Sequence, residues 1–166
     1  MSALRVGVVG VGHLGGHHAR AWARIQDAVL VGGYDPSPAA RERATRELKL
    51  PTFDTIDALL DRVDVVSIAA PTPHHAELSL LAFSRGLHVL VEKPMAVHAA
   101  EGEAMLAAAK AADRAFLVGH VERFNPAIRA ARPYLKSPRF IEAHRLAPIV
   151  PRGIDERAHL PADAQR

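Results

Sequence analysis

Short apolar runs alternate along this chain with stretches of helical character, and that alternation limits the possible folds more than any other feature. Residues 4–9, 29–34, 63–69, 87–91 and 115–119 are β-rich and predominantly apolar, without strict alternation of apolar and polar positions. Strands of that kind are buried on both faces, which a parallel sheet covered by helices on each side provides. Helical stretches at 13–26, 38–48, 55–61, 74–85 and 98–112 fall between them, and a weak strand is expected at 52–53. In the first helix Leu14, Ala21, Trp22 and Ile25 lie near one face. Right-handed crossovers between parallel strands then give an α/β fold with a doubly wound parallel sheet. Gly86 is placed as a helix C-cap, and Gly102 as a residue that simply weakens its helix.

The junction between the first strand and the first helix reads VGVVGVGHLGGHHA. It contains Gly10-x-Gly12-x-x-Gly15, with His13 and Leu14 between the last two glycines. Gly10 permits the tight turn, Gly12 lets backbone approach a pyrophosphate, and Gly15 lets the helix pack closely on the strand. The unpaired amides and positive dipole end of the helix would face the phosphates. Asp35 lies 20 residues beyond Gly15, at the end of the second strand, placed to accept hydrogen bonds from the adenosine ribose. This is the signature of a dinucleotide-binding (Rossmann) domain. A carboxylate at that position opposes a 2′-phosphate, so NAD is expected over NADP, with Arg41 and Arg43 as the counter-signal. Gly-Lys-Ser/Thr occurs nowhere, which argues against a P-loop nucleotidase.

In open α/β sheets ligands bind outside the carboxyl ends of the strands. The residues at those ends here are the glycine loop, Asp35, Ala70-Pro71-Thr72, Glu92-Lys93-Pro94 and Gly119-His120. Lys93 is the candidate catalytic group, because a lysine on that rim can hydrogen-bond a substrate hydroxyl and ease proton loss as its carbon is oxidised. Pro94 fixes the backbone that follows. A plain solvated charge pair at a strand end is the alternative on the residues alone.

The glycine loop taken together with AAPTPHH, HVLVEKP and GHVERFNP resembles the Gfo/Idh/MocA family of nicotinamide-dependent sugar oxidoreductases. The motifs run in the family's order from about residue 4 to 147. The resemblance implies that the glycine loop and Asp35 hold NAD and that Pro71, Thr72 and His75 border it. It also implies that Glu92 and Lys93 meet the nicotinamide side, with Lys93 shared between cofactor and substrate. Arg123 and Asn125 would stand at the mouth of the substrate pocket, with loop anchoring as the alternative role. GHVERFNPAIRA and PRFIEAHRLAP look most like the branch that oxidises a ring hydroxyl of nucleotide-linked amino sugars, similar to UDP-N-acetylglucosamine 3-dehydrogenases.

Three regions are expected: a dinucleotide-binding domain at 1–121, the start of a substrate and oligomerisation domain at 122–147, and an irregular tail at 148–166. Within the second, a short helix is followed by a strand from 139 to about 146. Family members are about twice this length, and their second domain is an open antiparallel sheet that forms the oligomer interface. The chain is therefore expected to hold a complete cofactor half and a truncated substrate half, with turnover in doubt. A non-catalytic NAD-binding module, or a degenerate remnant, is the competing reading. The family also carries Asp-x-x-x-His on an apolar helix. Asp155 and His159 have that spacing but lack the apolar setting, and the tail reads as foreign to the fold.

Composition closes other routes. The formal charge is +3, from 21 basic and 18 acidic residues whose arginines are scattered, so no nucleic-acid face is expected. Zero cysteines exclude a disulfide scaffold, a thiol nucleophile and thiolate metal sites. His13 and His17 are four apart with His18 beside them, but no third ligand follows, and adjacent His74 and His75 point apart, so no metal is expected. His88 and His120 read as strand-end residues. Neither a secretory signal nor a bilayer-length apolar run is seen, which makes a cytoplasmic, membrane-free protein the expectation. The expected partners are a sugar or nucleotide-sugar substrate and, in full-length relatives, further copies of the chain.

Overall fold

The computed structural model describes residues 3–137, 139–142 and 144. Its contacts divide the chain into two units, Met1–Gly119 and His120–Arg166.

In the first unit six parallel strands form one sheet: β1 (Leu4–Val9), β2 (Ala28–Tyr34), β3 (Thr52–Phe53), β4 (Val65–Ile68), β5 (His88–Val91) and β6 (Phe116–Val118). Their order across the sheet is β3-β2-β1-β4-β5-β6. The chain winds outward from β1 to β3, crosses back to β4 on the other side of β1, and winds outward again to β6. That reversal opens a crevice between the ends of β1 and β4. Helices α1 (His13–Trp22) and α2 (Pro38–Leu48) cover one face. Helices α3 (Ile56–Leu60), α4 (His75–Ser84) and α5 (Ala99–Ala111) cover the other. The architecture is the doubly wound parallel sheet read from the sequence.

Successive strand side chains point to opposite faces, so each face has its own core. Val8 joins Val11, Ala19, Ala40, Ala44 and Leu50 beneath α1 and α2. Val9, Val66, Ile68 and Val91 join Phe83 and Met105 on the other side. Most helix starts are fixed by side-chain caps. Ser37 Oγ accepts from the Ala40 amide at 3.3 Å, and Thr55 Oγ1 accepts from the Ala58 amide at 3.2 Å. Glu101 Oε2 takes the amides of Val97 and His98, both at 3.0 Å. Helix α4 closes on Gly86 at φ +70°, where the Gly86 amide bonds Phe83 O and the Leu87 amide bonds Ala82 O.

Three expectations change. Helix α1 ends at Trp22, not at 26, and its inward side is Gly15, Gly16 and Ala19, while Leu14 and Ile25 are exposed. The smallest residues face the sheet because they let the helix approach it, and beyond Trp22 no apolar stripe remains to hold further turns. Gly102 does more than weaken its helix. It is buried, and a Cβ there would stand 2.6 Å from Met95 Cε, so the glycine admits the Met95 side chain against α5.

The second unit contains a 3₁₀ turn at Val121–Phe124, helix α6 (Pro126–Ala131) and a 3₁₀ turn at Arg132–Tyr134. The expected strand is not formed at residues 139–142 and 144, and the rest of its span lies outside the described residues. A strand needs a neighbour to satisfy its backbone groups, and among the described residues no strand pairs with these. The expected tail, with Asp155 and His159, also lies outside the described residues. Among the described residues no helix is long and apolar enough to cross a membrane.

The start of β1 is tied to the residue before β4 by Asp64. Its carboxylate accepts from the Arg5 amide at 2.9 Å, from Nε at 3.0 Å and from Nη2 at 2.6 Å. The Arg5 side chain, then its amide, holds the Asp64 carboxyl at a pKa of about 2, below the ordinary 3.8. A depressed carboxyl pKa stabilises the fold above the unfolded value and loses that contribution as pH falls through the folded value. Both side chains are more than a third exposed, so solvent screening keeps the pair to about 1 kcal/mol or less. Asp64→Asn is expected to lower the unfolding free energy read by urea titration at pH 7 by that amount. The gap to the parent should close between about pH 4 and pH 2, as urea titrations at stepped pH would read.

Candidate functional site

The turn after β1 is built by glycine. Gly10 sits at φ +85°, and a Cβ there would meet Ala70 N at 2.7 Å. Its own amide bonds Tyr34 O at 2.8 Å. At Gly15 a Cβ would stand 1.8 Å from Gly10 O, so α1 and the turn touch backbone to backbone. Gly12 is the opposite case, since a Cβ there meets nothing within 4 Å. The first helical bond runs from the Gly16 amide to Gly12 O. The amides of His13, Leu14 and Gly15 therefore have no intrahelical acceptor and open toward the space beside Gly12. That space is what a pyrophosphate requires, so these residues fit a dinucleotide.

Asp35 closes the loop from the end of β2. Its Oδ2 accepts from the Val11 amide at 3.1 Å, and its Oδ1 accepts from the Ser37 amide at 3.0 Å. A carboxylate has about four acceptor positions, so further donors can still be met. Arg41 donates to Asp35 O at 2.8 Å and to Asp54 Oδ1 at 3.2 Å. Arg43 instead lines a groove of about 250 Å³ with Gly12, His13, Gly16, Arg20 and Glu47. A larger groove of about 360 Å³ between α2 and β3 contains none of the residues that follow β1, β4 or β5.

After β4, Ala70 and Thr72 are half-buried and Pro71 is exposed. His75 starts α4 beneath this tip and is only 1 % exposed. Its Nε2 lies 2.8 Å from Ala70 O and its Nδ1 lies 2.9 Å from Pro94 O. The ring thus spans the tip of β4 and the turn after β5, and whichever nitrogen carries the proton donates to its carbonyl.

Strand β5 delivers Glu92 to its end at 6 % exposure, followed by exposed Lys93 and a cis Lys93–Pro94 bond. Glu92 Oε2 accepts from the Lys93 amide at 3.2 Å. Its Oε1 lies 2.9 Å from Nε2 of His18, whose Nδ1 lies 2.7 Å from Ser67 Oγ. This Ser67–His18–Glu92 chain was not legible as a site, because its members are 49 and 74 residues apart. A single signal pointed to it, the lone polar residue in the strand VVSI. The Lys93 ammonium has no partner among the described residues.

In the other unit, Asn125 caps α6. Its Oδ1 accepts from the Ala127 amide at 3.0 Å and its Nδ2 donates to Glu122 Oε2 at 2.7 Å. Arg123 is exposed. Among the described residues no group of three or more ligand-type side chains is placed to hold a metal ion.

A family profile described as "Oxidoreductase family, NAD-binding Rossmann fold" (Gfo/Idh/MocA) matches residues 4–120. The chain is 38% identical over 156 residues to a UDP-N-acetylglucosamine 3-dehydrogenase of Acidithiobacillus ferrooxidans, covering 93% of this chain and 49% of that protein. The solved structure of a UDP-N-acetylglucosamine 3-dehydrogenase from that organism aligns with a TM-score of 0.75 at 36% identity, over 81% of this chain and 44% of its own. A scyllo-inositol dehydrogenase of Lactobacillus casei, solved with NAD(H) and scyllo-inositol, aligns with a TM-score of 0.73 at 28% identity, over 80% of this chain and 40% of its own. The chain spans about half the length, or less, of the curated relatives it matches.

The glycines separate by consequence. Gly15→Ala places a methyl group against carbonyl oxygen and is expected to cost at least about 3 kcal/mol of stability. Gly12→Ala, at φ −69° with open space around it, is expected to stay within about 1 kcal/mol of the parent. Urea denaturation of the two variants checks both values.

Proposed function

Because this chain belongs to the Gfo/Idh/MocA oxidoreductase family, we propose that it forms the cofactor-binding half of an NAD-dependent dehydrogenase acting on a ring hydroxyl of a sugar or nucleotide-sugar. UDP-N-acetylglucosamine is the first substrate to test, on the 38% identity to a dehydrogenase of that name. The observation that carries the reading is the exposed Lys93, held by Glu92 on the same strand-end rim as the open space at Gly12. Simple nucleotide binding needs no such lysine.

On this reading the amides of His13, Leu14 and Gly15 meet the pyrophosphate, and Asp35 accepts from the adenosine ribose. Residues Ala70, Pro71 and Thr72 border the crevice between β1 and β4. Bound nicotinamide supplies the acceptor for the two electrons and the hydrogen that leave the carbinol carbon. Lys93 orients the substrate hydroxyl and stabilises its oxygen as the proton passes to solvent water. Glu92 fixes the backbone that presents Lys93. Arg123 and Asn125 are assigned to substrate by resemblance, with loop anchoring as the alternative role that the Asn125 cap of α6 supports.

The preference for NAD rests on Asp35, whose negative charge opposes a 2′-phosphate. Arg43, beside Gly12, is the cation best placed to offset it.

Calorimetric titration with NAD and NADP tests the reading. NAD is expected to bind more tightly, and Asp35→Ser is expected to weaken NAD by about tenfold or more while narrowing the gap to NADP. Binding of neither nucleotide by the parent chain overturns the proposal. Where UDP-N-acetylglucosamine turnover is read at the reduced-nicotinamide absorbance band, Lys93→Met should lower kcat by at least about a hundredfold with NAD affinity nearly unchanged.

A further inference from the structure

We infer that His18 is the positioning residue of the Glu92-Lys93-Pro94 tip, and that through it the helix behind the glycine loop sets the geometry of the opposite end of the cofactor crevice. The inference rests on reading this rim as a nicotinamide-dinucleotide site. His18 lies on α1, the helix whose first turn faces the open space at Gly12. Its ring nevertheless reaches β4 and the end of β5, with Nδ1 2.7 Å from Ser67 Oγ and Nε2 2.9 Å from Glu92 Oε1.

The partners of this ring have little freedom of their own. Ser67 is fully buried and Glu92 is 6 % exposed. An ionised carboxylate can only accept, so Nε2 carries the proton and Nδ1 is left to meet the Ser67 hydroxyl. Gly119 packs so closely that a Cβ there would stand 2.6 Å from Glu92 Oε1. With Oε1 held by His18, Oε2 faces the Lys93 amide at 3.2 Å. The carboxylate is thus boxed on three sides, and its orientation is transmitted to the backbone that carries Lys93. No lysine or arginine side chain meets it among the described residues, so loss of the ring leaves a buried carboxylate without its side-chain donor, free to turn outward. Lysine or arginine at position 18 would supply charge but could not also accept from Ser67.

A paired titration separates this role from a general structural one. ADP-ribose carries both phosphates and both riboses but lacks nicotinamide, so the ratio of its Kd to that of NAD reads the tip alone. His18→Ala is expected to raise the Kd for NAD about tenfold or more while leaving that for ADP-ribose within about twofold. His18→Gln, which restores an N–H near the position of Nε2, should recover NAD to within about threefold of the parent. Ser67→Ala should weaken NAD selectively and to a smaller extent, because the ring loses its second anchor. If His18→Ala does not fold, as circular dichroism would show, the glutamine and Ser67→Ala variants carry the comparison. Equal weakening of both ligands, or no weakening, overturns the assignment of His18 while leaving the NAD site intact. Failure of the parent chain to bind either ligand overturns both.

Discussion

Helix α1 lies against the turn after β1 with no room for a methyl group: a Cβ at Gly15 would stand 1.8 Å from Gly10 O. That contact fixes how near the helix comes to the sheet, and several other features depend on the distance. Close approach leaves the first-turn amides facing the space beside Gly12, which stays open. It also brings His18, one turn further on, within reach of Ser67 and Glu92 on the neighbouring strands. A larger residue at position 15 would lift the helix, and the imidazole would fall short of the carboxylate. The glycine that serves the loop thereby also serves the strand-end lysine.

The sheet supplies the other half of the arrangement. Along β4 and β5 the pleat sends Val66, Ile68, Val89 and Val91 into the core beneath α4 and α5. The intervening positions, Ser67 and Glu92 among them, face the side on which α1 lies. A single alternation therefore builds an apolar core on one face and delivers a hydroxyl and a carboxylate to the other. Both groups are buried, and a buried charge is tolerated only when paired. The histidine of α1 meets that requirement, and a second buried histidine, His75, joins the two adjacent strand ends through backbone carbonyls.

What could be read from the sequence is what local periodicity encodes. An apolar run gave β1, a charged helical stretch gave α2 and a weak strand signal gave β3, and the glycine spacing located the turn at Gly10 and the close contact at Gly15. Gly86 announced its positive φ through its place after a helix. Features that depend on partners were not legible. The end of α1 depends on whether sheet lies beneath its last turn, and the strand expected from 139 required a neighbour. Gly102 looked like a weak point because Met95, which fills the space it leaves, is brought in by a turn of the chain. His18 stood in a run of histidines whose spacing suggested only a weak metal pair. Its real partners are set by the parallel register of strands far along the chain.

The same distinction bears on cofactor preference. From sequence, Asp35 favours NAD and the arginines at 41 and 43 stand against it as an undivided counter-signal. In the fold the two arginines differ. Asp35 is held by the Val11 and Ser37 amides, so its carboxylate has a fixed orientation, as the proposed ribose contact requires. Arg41 is engaged with Asp35 O and Asp54, which turns it toward the edge of the sheet. Of the two, Arg43 lies beside the glycine loop, with Arg20 in the same groove, on an exposed helical position where solvent weakens its charge. On the proposed reading, a held, half-buried anion and an exposed cation are the physical basis of the expected preference for the ligand that brings hydroxyls to Asp35.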